Sequence, residues 1–133
     1  MTWTEIENAI RTRFHEQVET ALSLYTVYDN QDKQAPTDNS MWCRLSIQPG
    51  DVRQITVGVR QYRYLGVIFA QLFGPLGSGD GDLMEMAEAI AQLFRSQTVS
   101  GVTYFTPRID KVGQGPQQYQ INVEIDYQAG DQE

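Results

Sequence analysis

Residues 66–83 read GVIFAQLFGPLGSGDGDL, and how this stretch is parsed decides the fold. From Tyr64 to Phe73 both alternating sets of side chains are apolar or small, Leu65, Val67, Phe69 and Phe73 on one side, Gly66, Ile68, Ala70 and Leu72 on the other. A strand apolar on both faces belongs in the middle of its sheet, with helices over one face and another layer or another subunit over the other. Gln71 is the lone amide in this run and needs a partner if it is buried.

The tract that follows, with Gly74, Pro75, Gly77, Gly79, Asp80, Gly81 and Asp82, is either a ligand loop or the exit from a strand into a helix. A phosphate loop needs Gly-Lys-Ser/Thr at its end and a dinucleotide fingerprint needs G-x-G-x-x-G; neither spacing is present. Asp80 and Asp82 could offer oxygens to Ca²⁺, but an EF-hand needs more oxygens and a later bidentate glutamate, and calcium solenoids need repeats. The simpler reading is that glycines permit positive φ, Pro75 ends the strand and an aspartate caps the helix, whose N-terminus offers an anion only a weak site.

Downstream, Asp82 and Glu85 have capping-box spacing, and Leu83, Met86, Ala87, Ile90, Leu93 and Phe94 form a helical stripe to about residue 96. Two strand-like runs follow around a GQGP turn, the second alternating Tyr119, Ile121, Val123, Ile125 and Tyr127 with polar residues. The ending AGDQE reads as a frayed tail.

Upstream, Cys43, Leu45 and Ile47 alternate with Arg44, Ser46 and Gln48, Pro49-Gly50-Asp51 has turn chemistry, and Ile55, Val57 and Val59 alternate again up to Arg60. These features predict a β-hairpin. Tyr25 to Tyr28 suggests a short strand, and DNQDKQAPTDNS after Tyr28 an exposed loop long enough to bind a partner. Trp3, Ile6, Ile10, Phe14, Val18, Ala21 and Leu22 predict an amphipathic helix over about residues 3–24, capped through Thr4 with Glu7 or Thr2 with Glu5.

The order helix, hairpin, central strand, helix, hairpin predicts an α+β fold: a mainly antiparallel or mixed sheet of about four to five strands with two amphipathic helices packed on one face. At 133 residues, 41% hydrophobic and 20% charged, the chain reads as one globular domain over residues 1–133. A net charge of −7 from 17 acidic and 10 basic residues opposes broad phosphate neutralisation, so no sequence-specific nucleic-acid binding is expected. The basic residues are scattered, and Arg60 with Arg63 is the nearest approach to a patch. One cysteine, Cys43, permits neither an internal disulfide nor a multi-cysteine zinc site. Neither a signal peptide nor a membrane span is expected, which places the chain in a cytoplasm.

Candidate chemistry is thin. His15 is the only histidine and has no evident nucleophile to serve, so it reads as a surface helix residue. Cys43 reads as an inward strand residue that behaves as a small hydrophobe. Paired carboxylates for glycoside chemistry are not singled out by any spacing. No catalytic residue, metal site or cofactor is expected. The strand aromatics Tyr62, Tyr64, Tyr104, Phe105, Tyr119 and Tyr127 suit packing or a protein interface.

The N-terminal amphipathic helix, Val27-Tyr28-Asp29-Asn30, the exposed loop, a strand carrying Trp42, and GVIFAQLFGPLGSG followed by a Leu-Met-Glu-Met-Ala helix together resemble the phage tail terminator family over most of the chain. Gly66, Ile68, Gln71, Phe73, Pro75, Gly77 and Gly79 stand at a structural, not a catalytic, motif. The resemblance implies a virion tail protein, made in the host bacterial cytoplasm, whose protomers form a hexameric ring on the tail tube. That ring would stop tube growth and dock the head connector. Its partners would be further copies of itself, the tail tube protein and the head–tail connector protein. DNA would pass through the ring, and an acidic ring would not grip its phosphates. The alternatives are another head–tail joining or tail-completion component, or, in a different class, a small hydrolase or ligand-binding module with a deep polar pocket at His15 or at Asp80 and Asp82.

Overall fold

The computed structural model describes residues 2–29, 34–36, 40–54, 61–77 and 79–132. The α+β class holds. The elements in chain order are α1 (Trp3–Phe14), a π-helical turn (His15–Thr20), β1 (Tyr25–Tyr28), β2 (Trp42–Gln54), β3 (Gln61–Pro75), α2 (Gly81–Phe94), β4 (Thr98–Val99), β5 (Val102–Tyr104), β6 (Arg108–Gln114) and β7 (Gln118–Gln132). Among the described residues the strands form a seven-stranded sheet in the order β1-β2-β3-β7-β5-β4, with β6 also on β7.

The expected four to five strands become seven because β4 and β5 span only two and three residues, too short to leave a periodic signal. The sheet is mixed, since β1 joins β2 in parallel while the other pairs are antiparallel. As its two apolar sets require, β3 is interior, paired along its length with β7 from Gln61↔Gln132 to Pro75↔Gln118. β5 and β6 lie end to end along the other side of β7, pairing with 127–129 and 119–124 respectively. They form one strand broken at Phe105–Pro107, where the Phe105 N–H still reaches the Asp126 carbonyl at 2.9 Å.

One face of this sheet carries the core. Cys43, Leu45 and Ile47 of β2, Ile68, Ala70 and Leu72 of β3, Ile121, Val123 and Ile125 of β7 and Val102 and Tyr104 of β5 are all buried with Ile6, Ile10 and Phe14 of α1 and Leu83, Ala87, Ile90 and Phe94 of α2. The helices are neighbours: Arg13 of α1 donates to the Leu93 carbonyl at 2.6 Å, and its guanidinium lies 5.3 Å from the Phe94 ring centre. Phe94 in turn meets Tyr104 edge to face at 4.9 Å.

Four local expectations are corrected. The predicted helix over 3–24 is α-helical only to Phe14 and then widens into the π turn. Its core residues Ile6, Ile10, Phe14 and Val18 recur every fourth position, and an α-helix would rotate each by roughly 40° from the last. A wider turn offsets that drift and keeps Val18 fully buried. The start is as expected, with Thr2 capping the Glu5 N–H at 3.2 Å.

Pro49-Gly50-Asp51 is a bulge within β2, marked by a register shift between Pro49 and Val52, and the partner of β2 is β3. β1 covers β2 only from Trp42 to Leu45, so Pro49 stands where β2 has become an edge and needs no ladder donor. Of the second predicted hairpin strand, Val52 to Gln54 belong to β2 and residues 55–60 lie outside the described residues, as do most positions of the predicted exposed loop.

Of the expected frayed tail, residues 129–132 are the end of β7, with Ala129 buried opposite Tyr64 and Val102, and Glu133 lies outside the described residues. The predicted capping box at Asp82 and Glu85 does not start the helix: Asp80 is the N-cap, without a side-chain capping bond. Its carbonyl accepts from the Met84 N–H at 2.8 Å, while its carboxylate pairs with Lys111 of β6 at 2.7 Å.

Gly66 and Gly77 show what the glycines of the opening stretch do. Gly66 faces Tyr127 across β3 and β7, and a Cβ there would stand 2.5 Å from the ring Cζ and 2.6 Å from the Gln48 carbonyl oxygen. The absent side chain is filled by the tyrosine ring. Gly77 adopts φ +83 with nothing near its Cα substituent, so it serves only to turn the chain from β3 towards α2.

Candidate assembly interface

With both helices on one face of the sheet, the other face is left to β2, β3 and β7. Leu65, Val67, Phe69 and Phe73 of β3 form a half-buried apolar column there. In register, Arg44, Ser46 and Gln48 flank it from β2, and Gln120, Asn122, Glu124 and Asp126 from β7. Gln71 interrupts the column in the row Arg44–Gln71–Asn122 and is half-buried. The lone amide therefore belongs to a polar row on an open face, and the predicted problem of a buried amide does not arise.

One end of this face is aromatic. Trp42 is buried and stacks on Phe73 with ring centres 4.5 Å apart, and the Arg44 guanidinium lies 5.3 Å from the Trp42 ring centre. On β7 the acids are partly matched: Arg108 of β6 bonds Asp126 at 2.8 Å and approaches Glu124 at 3.7 Å. Those carboxylates raise the Arg108 pKa further above an already permanent positive charge. Where β5 breaks from β6, a depression of about 410 Å³ opens among Leu65, Val67, Phe105 and Asp126, floored by Gly66 and Tyr127.

The residues weighed as chemical candidates are dispersed. His15 lies in the π turn, largely exposed and paired with Glu19 one turn on, beside a shallow depression that it shares with Arg11, Tyr28 and Asp29. Glu19 also accepts from the Tyr28 hydroxyl at 3.4 Å, and burial, with the Glu19 charge second, pushes that hydroxyl's pKa up. Cys43 is fully buried, and burial raises its thiol pKa, which favours the inert protonated form.

Asp80 is tied to Lys111, and that hydrogen bond and charge hold its carboxyl below the usual range. Asp82 lines a separate hollow of about 190 Å³ with Met41, Leu83 and Tyr119. Among the described residues no three His, Cys, Asp or Glu side chains gather as metal ligands, and no helix is long and apolar enough to cross a membrane. Arg63 is described, on β3 opposite Arg53 of β2, whereas Arg60 lies outside the described residues.

Sequence reasoning missed the edges. Among the described residues the exposed large apolar side chains are Tyr25, Val52, Phe105, Ile109 and Val112, all on outer strands or at the β5–β6 break. The signal for the last two was their setting in RIDKV, where they stand among Arg108, Asp110 and Lys111 on a strand that, among the described residues, pairs on one side only.

Helices cover one face of the sheet, and apolar side chains stand on its second face and along its edges, in an α+β fold. The family model described as phage tail terminator protein matches residues 5–127, and the chain belongs to that family. It is therefore a structural component of phage tail completion. Among curated proteins no sequence matches. Among the solved structures that match, one does so at a TM-score of 0.73 and 17% identity, covering 97% of this chain and 96% of that one; that likeness shows the fold alone.

Proposed function

We propose that this chain ends tail-tube polymerisation by closing over the tube as a ring, six-membered by family analogy, and then presents the surface to which the head connector docks. It acts through protein contacts, without a catalytic step, assembling in the host cytoplasm and ending in the virion tail with DNA passing through the ring. Family membership over residues 5–127 gives the setting. The observation that carries the reading is the half-buried column Leu65, Val67, Phe69 and Phe73 on the sheet face away from both helices, since such a face needs cover that the described residues of one protomer do not provide.

The test is electron microscopy of purified chain mixed with tail tubes, together with capture of the connector protein. Added ring density at one tube end, and connector retained only by capped tubes, are the expected results. Bare tube ends with no connector captured overturn the proposal.

A further inference from the structure

We infer that the two lateral edges of the sheet are complementary halves of the subunit contact, so that the Phe105–Val112 edge of one copy receives the β1–β2 edge of a second copy of this chain. The inference rests on the ring reading above.

The exposed large apolar residues among the described ones divide between these edges, with Phe105, Ile109 and Val112 along β5–β6 and Tyr25 and Val52 on β1–β2. Charge divides the same way. Asp110, Glu124 and Asp126 stand on the β6–β7 side with Arg108 and with Lys111, whose charge is matched by Asp80, and Arg44 and Arg53 stand on β2 with Asp51. Unlike edges that match each other across one molecule make a head-to-tail contact, which repeats around a ring when the rotation closes.

The β2 edge is also built to refuse open-ended strand pairing. Beyond β1, the Ile47 N–H is taken by the Asp29 carboxylate at 3.2 Å, and Pro49 has no N–H to give. β6 is bulged between Lys111 and Gly113. Edges blunted in these ways do not extend a sheet without limit, so side chains carry the contact.

Two double variants test this, each confined to exposed side chains: Ile109→Asp with Val112→Asp on one edge, and Val52→Asp with Arg53→Glu on the other. Circular dichroism melts check that both fold, and native mass spectrometry of concentrated protein reads assembly. Each variant alone is expected to lose ring formation, with association weakened at least about tenfold. An equimolar mixture is expected to give one-to-one dimers, because each variant keeps one intact edge. Rings from either variant, or a mixture in which no dimer forms, overturn the inference and leave the ring reading intact. Wild-type chain that is monomeric both at millimolar concentration and on tube ends overturns the ring reading itself.

Discussion

Replacing Gly66 with alanine tests the inner-face register on which the whole sheet is aligned. The new methyl would stand 2.5 Å from Tyr127 Cζ, 2.6 Å from the Gln48 carbonyl oxygen and well inside van der Waals contact with both. Neither neighbour yields easily: the ring is buried in the core beside Tyr104 of β5, and the carbonyl belongs to β2. Overpacking of this kind costs about 1–3 kcal/mol, and two immovable partners put Gly66→Ala in the upper half, about 2–3 kcal/mol. For a chain of this size that lowers Tm by roughly 6–15 °C. Urea unfolding by linear extrapolation measures the change directly. Gly81→Ala is the control, since nothing lies within 4 Å of its added Cβ and it opens α2; it should be neutral or slightly stabilising. A Gly66→Ala protein within about 0.5 kcal/mol of wild type would refute the pairing of Gly66 with Tyr127.

Other outcomes follow from single side chains. Phe94→Ala empties the contact shared by Phe14, Tyr104 and Arg13 and should cost about 3–5 kcal/mol in the same urea assay. Cys43 should resist a thiol reagent in the folded protein and react fully in denaturant, because burial both hides the thiol and opposes thiolate formation. Asp80 should titrate below the ordinary aspartate value by carboxyl NMR, and Lys111→Met should return it towards that value. Because the folded pKa is the depressed one, the pair's contribution is present above the unfolded aspartate pKa and is lost as pH falls through the folded one. A midpoint unchanged by Lys111→Met would remove the pair from the account.

What could be read in advance followed from period. β3 declared itself by two apolar sets over the same residues, α2 by a stripe from Leu83 to Phe94, and the β6–β7 turn by its glycines and proline. What misled was local chemistry that two structures share. Pro49-Gly50-Asp51 suits a turn and a bulge equally, and the choice is made by β1 ending opposite Leu45, a long-range fact. Asp80 and Asp82 both suit a cap, and the pairing of Asp80 with Lys111 comes from a strand formed later in the chain. The polar letters of AGDQE hide Ala129, whose burial depends on Val102 and Tyr64 beside it. The candidate interface was half legible: the second apolar face of β3 was visible in the alternation, but Ile109 and Val112 look like core residues until β6 is seen to be paired on one side only.

The measurement closest to the central claim is complementation of a phage lacking its own tail terminator, with tail lengths scored by electron microscopy. Supplying this chain with its cognate tube protein should give tails of one uniform length that join heads. Tubes of unregulated length in the presence of folded chain would contradict its role as the ring that ends tube growth.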